Sequence, residues 1–282
     1  MTSLATSPSG HSAASLAAPP RPGRAAMISR IYRSELLKLR TVRASGFILL
    51  YVAAIMLLVG GGNAAGTMVT MMQKPGSVDP AGMDPTGGAL SGLSSALIGV
   101  AALGIVAVTS DYASGMVRTT FWAAPQRSYV LVGRSLALLT MVVPVALGAA
   151  LLTTLTAKIL LAQVGLTVSL RQPGVLRAIV GAALYLGLVS VFAAALGWLI
   201  RSSIGALVTW IAIWLVPGLL ILLLPPAIAG PVDHYLPGNV GTAVAEVPGP
   251  GSLTGWTDLA VFAAYAVVLT GFALVSLRRR DA

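Results

Sequence analysis

The sequence predicts an all-α polytopic membrane protein: six transmembrane helices, preceded by an amphipathic N-terminal interfacial helix. Three observations carry that expectation. The chain has 282 residues, of which 56% are hydrophobic and only 9% charged, whereas a soluble domain carries about a quarter charged residues. Six apolar stretches, 46–64, 89–110, 135–157, 178–200, 204–224 and 257–277, match a hydrocarbon core roughly 30 Å thick. Basic residues gather in alternate connections between those stretches. Each stretch is continuously apolar, so its backbone must satisfy itself as a helix. Barrel strands would instead show alternating runs of about ten residues.

Residues 1–26 (MTSLATSPSGHSAASLAAPPRPGRAA) are rich in Ser, Ala, Pro and Gly and have no period, which predicts a disordered cytoplasmic tail. No basic start precedes an apolar core here, so the pattern of a secretory signal is missing. His11 falls in this tail as an unstructured residue.

Residues 27–43 differ in kind. At about 100° per residue, Ile28, Ile31, Tyr32, Leu36, Leu39 and Val42 share one face, while Arg30, Arg33, Ser34, Lys38 and Thr41 occupy the rest. A basic amphipathic helix of this type suits the headgroup plane, where its cations meet anionic lipid. Glu35 breaks the pattern, lying between Tyr32 and Leu39 on the apolar face, where an unpaired carboxylate is costly. Two readings follow: it snorkels or pairs with Lys38, or it bonds a basic residue of another cytoplasmic segment such as Arg118.

Residues 44–282 form the six-helix transmembrane domain. Arg21, Arg24, Arg30, Arg33, Lys38, Arg40 and Arg43 precede the first stretch, and Arg118, Arg127 and Arg134 lie between the second and third. Arg201 separates the fourth and fifth, and Arg278, Arg279 and Arg280 follow the sixth. Only Lys74, Lys158, Arg171 and Arg177 fall on the other side, together with Asp79, Asp84, Asp233, Glu246 and Asp258. The positive-inside rule therefore puts both termini in the cytoplasm of a cell-membrane protein. The 158–177 connection opposes the rule, with Lys158 placed to snorkel from a helix end. The net charge of +10 is thus a topology signal and not a nucleic-acid surface.

Inside the stretches, Gly88 and Gly92, then Ser91, Ser95 and Gly99, form small-residue ladders that let helices approach closely. They serve either packing within the chain or a substrate path or dimer seam. Pro144 and Pro217 are expected to kink the third and fifth helices. Trp210 and Trp214 stand one turn apart near the middle of the fifth, away from the interfaces that membrane tryptophans favour. They are either lipid-facing or packed, or else the wall of a substrate path for an amphipathic or aromatic solute. The 226–256 connection is apolar and dense in Pro and Gly; it is either folded back at the membrane boundary or an exposed loop.

The residue inventory excludes several chemistries. With no cysteine there is no disulfide scaffold, thiolate metal site or cysteine nucleophile. Residues 61–67 (GGNAAGT) have the glycine spacing of a phosphate loop, but Thr67 replaces its lysine. Asp258, at a helix end, is the one formally charged residue in the six stretches. No carboxylate or histidine at mid-depth can relay protons, serve as a catalytic base or hold a metal, although carbonyls and hydroxyls alone can hold sodium. The chain is expected not to be an enzyme, with no catalytic residue and no metal site.

The second connection reads Asp111-Tyr-Ala-Ser-Gly-Met-Val-Arg-Thr-Thr-Phe-Trp-Ala-Ala-Pro-Gln-Arg. It resembles the actinobacterial-type permease subunits of the ABC-2 family of ATP-driven exporters. That family starts with an amphipathic Glu-x-x-Lys, matched by Glu35 and Lys38. After its second span it carries an acid-Tyr-x-x-Gly-x-(Ile/Val)-Arg-Thr-Thr run and then Pro-x-Arg. Asp111, Tyr112, Gly115, Val117, Arg118, Thr119, Thr120, Pro125 and Arg127 match it, with Asp111 a conservative departure from the commoner Glu. The segment Tyr235-Leu-Pro-Gly-Asn-Val-Gly resembles a Leu-Pro segment before the family's last span, a region the family often uses as an outer gate.

The resemblance implies that ATP and magnesium are handled by a separate ABC ATPase subunit, contacted through Glu35, Lys38, Asp111, Gly115, Arg118, Thr119, Thr120 and Arg127. It implies pairing with a second permease copy or a homologous permease, and export of a hydrophobic or amphipathic solute: a drug, an antibiotic peptide or a lipid-like compound. An ATP-independent channel or sodium-coupled carrier, and an assembly subunit that moves nothing, are the alternatives the residues leave open.

Overall fold

The computed structural model describes residues 24–74, 84–113, 127–166, 168–246 and 254–280. The helices among them are α1 (Arg24–Thr41), α2 (Arg43–Gln73), α3 (Pro85–Ala89), α4 (Gly92–Ala113), α5 (Arg127–Ala162), α6 (Val175–Ile200), α7 (Ser203–Ile221), α8 (Pro226–His234), α9 (Pro237–Ala243) and α10 (Thr254–Arg280). Six of them, α2, α4, α5, α6, α7 and α10, are long and apolar enough to cross a membrane, and the described residues contain no strand. The chain is an all-α polytopic membrane protein. One end of the bundle carries α1 and the cation-rich connections, and is called the basic face; the other is the distal face.

The six helices fall where the apolar stretches do, with several ends displaced by three residues or more; the displacements in the first three have causes visible in the structure. The first stretch, expected to stop at 64, continues to Gln73. Its glycines and Asn63 look like a helix end, but no charge follows until Lys74. The Thr67 and Thr70 hydroxyls donate to the carbonyls of Asn63 (3.0 Å) and Gly66 (2.9 Å), which keeps polar side chains satisfied within the helix. The second stretch begins at Gly92 rather than 89, because a separate short helix precedes it. Asp84 caps that helix, accepting from the Thr86 and Gly87 amides at 3.0 and 2.9 Å, with Pro85 in its first turn. The third helix takes in Lys158, which is exposed on its side rather than in the connection. At 36 residues it is about 54 Å long, well beyond the roughly 30 Å of a hydrocarbon core. Pro144 and Pro217 both lie inside continuous helices.

The fourth span is the hub. Of its apolar window 83% is buried inside the protein, against 11% for the fifth. Small residues explain the close approaches. A Cβ on Gly92 would come within 2.6 Å of the Met56 carbonyl, one on Gly99 within 2.8 Å of the Tyr51 ring, and one on Gly60 would run into the Ala89 carbonyl. Gly104 meets the Ser190 backbone of α6 in the same way. Without a hydrophobic drive between helices in lipid, such contact is what holds them together.

The connection left open between an exposed loop and a folded-back segment divides. In its described part, α8 keeps Ile228 and Val232 exposed, while Val240 and Val244, in and just after α9, are buried. Tyr185 donates to the Pro237 carbonyl (3.1 Å) and Tyr265 to the Tyr235 carbonyl (3.0 Å). Arg177 donates to the Glu246 carbonyl at 2.7 Å, and the His234 Nε2 lies 3.2 Å from Asp258 Oδ1. The part from Tyr235 through α9 to Glu246 is thus folded back over the distal ends of α6 and α10, while α8 stays exposed. Residues 247–253 lie outside the described part.

Candidate functional site: a buried charge cluster at the basic face

The N-terminal helix is placed by its apolar stripe. Ile31, Tyr32 and Leu36 pack against the core and Leu39 is buried. The stripe packs along α5, with Val42 at its end left exposed. Gly133 makes this possible: a Cβ there would sit 2.7 Å from Ile31 Cγ2 and 3.2 Å from the Tyr32 amide. The Tyr32 hydroxyl then reaches Thr140 Oγ1 at 3.3 Å. With α1 pressed onto α5, Glu35 faces inward, next to the residue that follows Gly133.

That residue is Arg134. Its Nε donates to Glu35 Oε2 at 2.6 Å, and its Nη2 approaches the same oxygen at 2.5 Å and also bonds Asp111 Oδ2. Lys38 closes the ring, with Nζ 3.0 Å from Glu35 Oε1 and 3.8 Å from Asp111 Oδ2. Glu35 is 2% exposed, Asp111 6% and Arg134 2%. Two acids and two bases neutralise one another, so burial is tolerated because each charge is both paired and hydrogen-bonded. The Lys38 side chain, at 36% exposure, is the cluster's outlet to the surface.

Aromatic rings extend the cluster toward α6. The Arg134 guanidinium lies 5.5 Å from the Trp198 ring centroid. Trp198 meets Tyr112 edge-on at 5.8 Å, and Arg201 lies 5.5 Å from the Tyr112 ring. Cations over aromatic faces are attracted by the ring quadrupole, more strongly where water is excluded. A groove of about 300 Å³ runs from the cluster along α1, α2 and α4, with walls including Leu39, Val42, Ile48, Leu103 and Val106.

Both readings of Glu35 hold in part. It pairs with Lys38, and it also bonds a cation of another segment, but that cation is Arg134; Arg118 lies outside the described residues. Gly115, Thr119 and Thr120 lie outside them as well, as does the Arg127 side chain at the start of α5. Three of the residues expected at a partner contact, Glu35, Lys38 and Asp111, are therefore brought together in space. Arg134, Trp198 and Arg201 were not singled out as site residues. A signal was present, because a carboxylate on an apolar stripe demands a cation at membrane depth, and Arg134 directly precedes the third apolar stretch, beside a glycine.

The residues considered for a substrate path divide into two places. Trp210 and Trp214 stack at 4.5 Å between centroids and 23° between planes. They join Phe192, Phe262 and Tyr185 between α6, α7 and α10, and Trp210 is buried. They form an interior wall rather than a lipid-facing pair. Ser91, Ser95 and Gly99 face α2 instead. The Ser91 hydroxyl accepts from the Asn63 amide at 3.2 Å, the Ser95 carbonyl from Tyr51 at 3.4 Å, and Gly99 lies against Tyr51 and Val52. Ser91 also lines a distal cavity of about 400 Å³ with Asp84, Ser94, Thr242 and Glu246. The two groups of residues do not share a site. No protein-family model and no curated protein matches the chain.

Proposed function

We propose that this chain is the transmembrane permease subunit of an ABC exporter of the ABC-2 type, driven by ATP hydrolysed on a separate subunit. The observation that carries the reading is the convergence of Glu35, Lys38 and Asp111 in one buried cluster. These residues belong to two sequence motifs far apart in the chain, and both motifs resemble those of the same family. The cluster ties α1 to the last turn of α4, and the 114–126 segment starts immediately beyond it. A partner pushing on that segment would act directly on a rigid joint between α1, α4 and α5.

In this reading the basic face is cytoplasmic, the ATPase subunit docks there, and a second permease copy or a homologous permease completes the path across the cell membrane. The solute is hydrophobic or amphipathic, in keeping with apolar spans that place their few ionisable groups at the ends.

The test is transport by the full-length chain in its own membranes. Tagged chain should retain an ATP-hydrolysing subunit, and Arg118→Glu should release it. Efflux of a lipophilic fluorescent dye should stop on ATP depletion and persist when the sodium gradient is collapsed. Efflux that survives ATP depletion and follows sodium would overturn the reading in favour of a coupled carrier. Retention of the ATPase without any solute movement would favour an assembly subunit.

A further inference from the structure

Arg201 is the one non-glycine residue with positive φ among those described (φ 60°, ψ 13°). It is the C-cap of α6, at the elbow from which α7 departs, and its amide donates to the Gly197 carbonyl at 2.9 Å. Glycine adopts this conformation freely, whereas a side chain pays a steric penalty. An arginine kept there needs something that glycine could not supply. What it supplies is a guanidinium over the ring of Tyr112, in the last turn of α4. A second tie runs in parallel: the hydroxyls of Thr109, on α4, and Ser203, at the first turn of α7, lie 2.7 Å apart. Thr109 is buried, and Ser202 caps α7 by accepting from the Gly205 amide.

These ties matter because α7 has little else to hold it. Its apolar window is the least embedded of the six. Its fully buried side chains are Ala206 and Trp210, with Leu207, Ile213 and Trp214 partly buried against the core. The end of α4 therefore has a direct hold on the base of the fifth span, and Tyr112 itself leans on Trp198, which lies under the Arg134 guanidinium.

We infer that Arg201 is a positioning residue: its contact with Tyr112 fixes the elbow between the fourth and fifth spans to the end of the second. That a partner subunit exploits this link rests on the function proposed above. The link itself does not, and the experiment reads only the link.

Amide hydrogen exchange of full-length protein in lipid nanodiscs tests it, read at residues 205–210. Arg201→Gly keeps the backbone comfortable and removes the guanidinium, so exchange there should quicken about tenfold. Tyr112→Leu should do the same, Tyr112→Phe should stay at the wild-type rate, and Arg201→Lys should fall between. The double variant Arg201→Gly with Tyr112→Leu should match either single, while amides in the middle of α6 stay unchanged throughout. If Arg201→Gly exchanges as slowly as wild type or more slowly, or if the two substitutions add, the inference is wrong. Should Arg201→Gly not fold, the contrast of Tyr112→Leu with Tyr112→Phe decides, since both leave the elbow sequence intact.

Discussion

Removing the Arg134 guanidinium would leave two buried carboxylates, Glu35 and Asp111, facing each other with only the half-exposed Lys38 between them. Breaking a buried pair from one side is far more costly than replacing the whole set, because the remaining charge cannot reach water. Arg134→Leu should therefore lower stability by about 3–5 kcal/mol in denaturant unfolding in detergent. Adding Glu35→Gln and Asp111→Asn to it should return most of that loss. Lys38→Ala, at the wetter edge, should cost about 1 kcal/mol or less. An Arg134→Leu variant as stable as wild type would mean the cluster contributes nothing to holding α1. At this scale the sequence revealed the acid but not its partner. Glu35 stood out because the helical wheel put it on the wrong face. Arg118 lies in the motif, whereas spatial neighbourhood is set by Gly133, whose missing side chain lets α1 lie directly against α5 beside Arg134.

Among the helices, glycines do two different jobs that the sequence alone does not separate. Gly60 and Gly92 sit where α2 meets α3 and α4, and a Cβ on either would press on main-chain atoms that cannot rotate away. Gly62 and Gly66, on the same helix as Gly60, have open space around the position of a Cβ. Gly60→Ala and Gly92→Ala should each destabilise by about 1–3 kcal/mol, as overpacking does. Gly62→Ala and Gly66→Ala should be neutral or stabilise by up to about 1 kcal/mol, since alanine is the better helix former. Thermal unfolding of the four purified variants separates the pairs, and equal losses in all four would refute the distinction. The hydropathy of the chain made the six spans legible, because a continuous apolar run has no other way to satisfy its backbone in lipid. Their ends were not legible. The GGGNAAGT run reads as a break, yet nothing in it obliges the helix to stop. The start of the second span was hidden because Asp84 and Pro85 build a separate short helix from residues that hydropathy assigns to no particular structure.

For the molecule as a whole, the charge distribution and the packing give one polarity. The cations of α1, Arg134, Arg201, Arg278 and Arg279 lie toward one end of the bundle, and at that end the spans are pinned by ion pairs and cation–aromatic contacts. At the other end, α9 and the residues after it are folded over α6 and α10, with Val240 and Val244 buried in the core, Tyr185 and Tyr265 bonded to the carbonyls of Pro237 and Tyr235, and His234 beside Asp258. The positive-inside rule predicts that the basic face is cytoplasmic, because basic residues close to membrane ends are retained on that side. The absence of native cysteine makes this directly measurable, since every introduced thiol is unique. Ser34→Cys on α1, Gln163→Cys just after α5 and Ala227→Cys on α8 place exposed thiols on the two faces. A membrane-impermeant maleimide added to intact cells should label the thiols at 163 and 227 and leave that at 34 unlabelled until the membrane is permeabilised. Labelling of 34 alone in intact cells would invert the protein, and labelling of 163 and 227 on opposite sides would break the six-span topology itself.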